Sequence, residues 1–182
     1  MGVKRSVSIA GVLLSVVMFG VWSVQASGQA APAKKTAPAA AAAPAVKPVG
    51  PVKQAKLPPL PFGPKDPLPR PNQVVAAVFV FAAEHPEILN YVPCFCWCDH
   101  MGHKGNTDCF VKSRAANGDV LQWEPHGTEC QVCIDVGQQA MQMYSSGASV
   151  RDIRAAVEKK FAGQYQNHTP TPQPPPPSPA TR

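Results

Sequence analysis

The chain has 182 residues, with 22 prolines, six cysteines, five histidines and a formal charge of +6. That charge is unevenly placed: residues 27–71 carry a balance of +6, whereas residues 72–165 hold seven Lys and Arg against ten Asp and Glu. A mildly acidic folded region has no basic stripe to follow a phosphate backbone, which excludes nucleic acid as a partner class, and the basic arm suits solubility or loose contact with an anionic surface.

Residues 1–26 read as a secretory signal peptide. Lys4 and Arg5 precede an apolar run from about Ile9 to Val24, and Val24-Gln25-Ala26 fits a small-residue cleavage site. An uncleaved anchor is the alternative, because the run approaches the ~18 apolar residues of a membrane span, and only then is a membrane a partner. No cysteine stands there for a lipobox. An extracytoplasmic location follows, periplasmic, envelope-bound or secreted.

Residues 27–71 hold 12 prolines, with many alanines and few large apolar side chains before Leu57. Such a composition predicts a disordered, extended linker, and the Pro-rich tail 166–182 is of the same kind. What remains, 72–165, is the size of one small domain.

Within that domain, residues 73–92 open with Val74, Val75, Val78, Phe79 and Ala82 on one helical face. Pro86 starts a second short helix, with Ile88, Leu89 and Tyr91 packing it down. Residues 93–128 show no period and four glycines, predicting an irregular loop with one turn around "NTDCFV". From Cys130 a helix resumes, with Cys133, Val136, Ala140 and Met143 on its stripe and Gly147 at its end. Ser149, three residues before Asp152, caps a last helix with Val150, Ile153, Val157 and Phe161 inward. The expected fold is mainly α: about four helices clasping a Cys/His-rich irregular loop, flanked by disordered Pro-rich segments.

The chemistry is concentrated in that loop. Cys94, Cys96, Cys98, His100, His103, Cys109, His126, Cys130 and Cys133 all fall within 40 residues. Thiolates are soft ligands that select Cu(I), Zn(II) or iron–sulfur clusters, and Cys130-x-x-Cys133 at a helix start is a familiar half-site. The nine residues form a candidate metal site for copper, which is favoured, or zinc. Two alternatives stay open. Six cysteines in an exported chain also suit a disulfide-stapled structural or interaction module, with bridges from 94–98 to Cys109, Cys130 or Cys133. Cys130 and Cys133 also suit a thiol redox couple, although no thioredoxin-like strand pattern precedes them. Asp99, Asp108, Asp119 and Glu124 are scattered over turns, so an enzyme is not expected, and His85 reads as a helix-junction residue.

The run "PCFCWCDHMGHKGNTDCFV", followed by "HGTECQVCIDV" and "SVRDIRAAVEKKF", resembles the bacterial PCYCGC-motif proteins, an exported or lipid-anchored family of unestablished function. The resemblance covers roughly 90–162. It marks Cys94, Cys96, Cys98, His103, Asn106, Cys109, His126, Gly127, Cys130 and Cys133 as recurring positions and implies no catalytic residue. Phe95 stands where the family motif has tyrosine and Trp97 where it has glycine. The tryptophan predicts that the backbone there needs no positive φ, and that the ring shields the cluster from water.

Overall fold

The computed structural model describes residues 50–176. The expected signal peptide, the expected linker up to residue 49 and the last six residues lie outside the described residues. Among the described residues are five α-helices and one two-stranded antiparallel hairpin: α1 Asn72–Glu84, α2 Pro86–Leu89, β1 Val111–Arg114, β2 Val120–Trp123, α3 His126–Glu129, α4 Gln131–Ser145 and α5 Val150–Phe161. Short 3-10 turns at Cys98–Met101 and Asn106–Cys109 complete the loop. None of these helices is long and apolar enough to cross a membrane.

The long helices form where the period placed them. α1 buries Val75, Val78, Phe79, Phe81, Ala82 and Ala83, and α4, which packs against both α1 and α5, buries Val132, Cys133, Ile134, Val136 and Ala140. Ser149 caps α5 by accepting from the Asp152 N–H, which satisfies one of the orphan donors of the first turn. Gly147 adopts φ +83 just after α4, the left-handed conformation that ends a helix. Phe79 is the centre of the core, with Phe110, Trp123 and Phe62 meeting it edge-on at 5.1, 5.5 and 5.7 Å between centroids.

The loop 93–128 is less irregular than expected. β1 and β2 pair with Val111 opposite Trp123 and Arg114 opposite Val120. Gly118, at φ +93, turns the chain between them, and Asn117 Oδ1 accepts from the Asp119 N–H. The turn residues "ANGD" carry the hairpin signal, but strands of four residues are too short to show a two-residue period. Short α3 is likewise additional to the four helices expected.

Of the proline-rich flanks, the stretches 50–71 and 166–176 fall within the described residues, and both lie against the domain. Residues 50–71 lie along the domain: Val52 N–H donates to Glu84 O at 2.8 Å, and Gln54 bridges Ala83 O and the Val120 N–H. The Trp123 indole N–H donates to Pro58 O at 3.1 Å, and Arg70 makes a paired contact with Asp135 at 2.7 and 2.6 Å. Leu57, Leu60, Phe62 and Leu68 pack on the core. The tail does the same from the other end: Thr169 is buried, and buried Arg154 donates to Tyr91 O, Thr171 O and Pro172 O. Proline removes donors but not carbonyls, so an extended, aperiodic chain docks through its carbonyls, the few donors of its non-proline residues such as Val52, Gln54 and Arg70, and the apolar residues between its prolines.

Candidate metal centre

Four pieces of chain bring the sulfurs together. Cys94 leaves α2 through Val92, whose carbonyl accepts from the Asn106 N–H. Its backbone is clamped by the tail: Cys94 N–H donates to Thr169 Oγ1 and Thr169 N–H to Cys94 O, both at 2.9 Å. Cys98 starts the first 3-10 turn and Cys109 ends the second. Cys130 is the N-cap of α4, its sulfur accepting from the Cys133 N–H at 3.4 Å, where the helix N-terminus favours negative charge on sulfur. Asn106, fully buried, donates from its side-chain amide to Cys133 O at 3.2 Å and so ties the second 3-10 turn to α4.

The sulfurs then lie in contact. Cys94 Sγ is 3.1 Å from Cys133 Sγ, 3.4 Å from Cys96 Sγ and 3.4 Å from Cys109 Sγ. Cys96 and Cys98 lie at 2.7 Å, Cys130 and Cys133 at 2.6 Å, and Cys98 and Cys109 at 3.8 Å. No disulfide joins any two of the six. His126 joins through Nε2, 3.5 Å from Cys96 Sγ. Two groups of four ligand atoms result, Cys94/Cys96/Cys98/Cys109 and Cys96/His126/Cys130/Cys133, each with all atoms within 4.8 Å of one another. Four sulfurs at about 2.3 Å around a tetrahedral ion stand about 3.8 Å apart, so each group could hold a soft ion once its closest pair, Cys96–Cys98 or Cys130–Cys133, opens by about 1 Å.

Six touching thiols cannot all ionise. Burial pushes the Cys109 and Cys133 thiols up. At Cys94 and Cys130, hydrogen bonds from Cys109 and Cys133 act downward but are outweighed by neighbouring sulfurs and burial; Cys94 is raised and Cys130 is pushed up to about 12. Bonds led by that from Cys109 hold Cys96 well below the ordinary thiol range and Cys98 down to about 3. Cys96 and Cys98 are thus the sulfurs that ionise most readily, and an ion bound there would displace protons from the raised thiols.

The structure brings together seven of the nine residues expected as ligands. His103 is buried beside them, Nδ1 3.7 Å from Cys109 Sγ and its ring edge-on to His126 at 5.8 Å, without joining either group. His100 is exposed and its Nδ1 donates to the Trp97 carbonyl instead. His85 sits between α1 and α2, bonded to Glu87 at 2.8 Å, away from the sulfurs. Thr169 and Arg154, which hold Cys94 and the tail, had no signal beyond ordinary polar residues.

Trp97 reverses the expectation drawn from it. It is the one non-glycine at positive φ among the described residues, at +62, and its ring is 62 % exposed, so it does not cover the cluster. The left-handed conformation costs a side-chain-bearing residue roughly 1–2 kcal/mol, and the family motif carries glycine there. Trp97→Gly is expected to raise unfolding free energy by about 1 kcal/mol. Urea denaturation of the reduced protein reads this, and a loss of stability would show that the ring makes contacts worth more than the strain.

A family model described as a protein of unknown function with a PCYCGC motif matches residues 65–174. The match takes in the docked end of the linker and the tail as well as the cysteine loop. No curated protein and no solved structure matches the chain. With more than half its length inside the family model and the full cysteine series in place, the chain belongs to the PCYCGC-motif family.

Proposed function

We propose that this protein is an extracytoplasmic soft-metal-binding protein, with copper favoured over zinc, acting in binding, buffering or transfer of the ion. The observation that carries the reading is the convergence of six sulfurs and His126 into two tetrahedral-sized groups. Copper is favoured because the set is sulfur-rich and the intrinsic affinity order places copper above zinc. The signal-like residues 1–26 support export. In an oxidising compartment, bound metal would keep the thiolates from pairing.

Elemental analysis of protein purified from the cell envelope tests this. At least one equivalent of copper or zinc per chain is expected, with thiols that become open to alkylation once the metal is chelated. Metal far below one equivalent, with every thiol already blocked, overturns it. That second outcome supports the disulfide-stapled module, whose three bridges add about six mass units on reduction. The 2.6 Å approach of Cys130 and Cys133 at a helix start favours one more reading, a thiol redox couple. Turnover of insulin disulfides that vanishes in Cys130→Ser would support it.

A further inference from the structure

We propose that the centre is binuclear, holding two ions joined by the Cys96 thiolate as a bridging ligand. This rests on the metal-binding reading above and extends it. Two four-coordinate ions need eight ligand positions, and the two groups offer seven different residues. The shortfall is made up by one atom, because Cys96 Sγ belongs to both groups. It lies 2.7 Å from Cys98 and 3.4 Å from Cys94 on one side, and 3.5 Å from His126 Nε2 on the other.

A single ion fits this arrangement poorly. It would take four donors and leave three of the seven idle, in a cluster where Cys94, Cys98, Cys109 and Cys133 are all buried. The two groups also touch a second time, Cys94 Sγ meeting Cys133 Sγ at 3.1 Å, so they form one continuous cluster. Sulfur is suited to the bridging role, since a thiolate retains lone pairs after binding one soft ion, whereas His126 offers one nitrogen to one ion. With two bonds of about 2.3 Å at a common sulfur, the ions stand no more than about 4.6 Å apart.

The test uses the reduced, metal-free full chain under anaerobic conditions. Zinc is titrated and counted after desalting, and Co(II), which takes the same four-coordinate geometry, serves as a magnetic probe. Wild type is expected to hold two ions per chain, with the paramagnetism of the first Co(II) diminished by the second through the shared sulfur. Cys98→Ser and Cys130→Ser, one from each group, should each retain one ion. Cys96→Ser should bind at both positions at least tenfold more weakly and lose the magnetic coupling. Saturation at one ion per chain overturns the binuclear centre and leaves metal binding standing, whereas no binding overturns both. Two ions with independent magnetism overturn the bridge. The wild-type titration and magnetism decide these outcomes even if a variant fails to fold.

Discussion

Gly127→Ala is expected to destabilise the domain by about 3 kcal/mol. A methyl group there would stand 2.5 Å from both Cys109 O and Phe110 Cδ1 and 2.8 Å from Phe110 Cε1. The carbonyl belongs to the backbone of a site cysteine and the ring to the aromatic core against Phe79, so neither can retreat without moving the other. For a domain near 100 residues the loss corresponds to about 12–24 °C in Tm. The same clash separates His126 from the Cys109 turn, so metal content should fall with stability. A melt of reduced apo protein checks the first effect and elemental analysis the second; a Tm within a few degrees of wild type would mean that the turn gives way at little cost.

Arg154→Ala is expected to cost about 3 kcal/mol, because bonds to a charged donor are each worth about 1.5–3 kcal/mol. The guanidinium donates to Tyr91 O, Thr171 O and Pro172 O and pairs with Glu158 at 2.8 Å. Those carbonyls come from the segment leading into Cys94 and from the tail that clamps it, so the arginine fastens one to the other. Its removal should open the tail to protease near residues 166–172 and release the Thr169 contacts to Cys94. Limited proteolysis with mass readout tests this, alongside denaturation. A tail still protected in the variant would show that Thr169 and Arg151, which donates to Pro174 O and Pro175 O, suffice alone.

Both results depend on features that sequence periodicity does not carry. α1, α4 and α5 were legible because each buries a stripe at helical spacing, and because Ser149 and Gly147 mark ends by known capping chemistry. The hairpin was not, since its strands are four residues long and exposed at Lys112, Leu121 and Gln122. Residues 50–71 and the tail have no period at all. They dock through carbonyls, a few scattered donors and isolated apolar side chains, which composition scores as disorder. The Cys/His cluster was largely legible, because cysteine and histidine density survives any folding of the loop. His100 was not separable from it: four residues from Cys96 along the chain, its ring is turned outward to the Trp97 carbonyl. Nor could spacing reveal that Cys96 falls in both groups, since a shared vertex is a property of three dimensions. At Trp97, residue identity misled about φ, because the turn entering Cys98 takes the left-handed conformation there although the position carries a side chain.

The uneven burial of the sulfurs has a kinetic meaning. Cys94, Cys98 and Cys109 are sealed, whereas Cys96, His126 and Cys130 reach the surface in part. If the centre holds two ions as proposed, the outer group would be the doorway and the inner group the chamber behind it. An arriving ion would meet Cys96, His126 and Cys130 first, and an ion in the inner group would have to leave past them. The outer ion would then be the one open to transfer, and the inner one the slower to exchange.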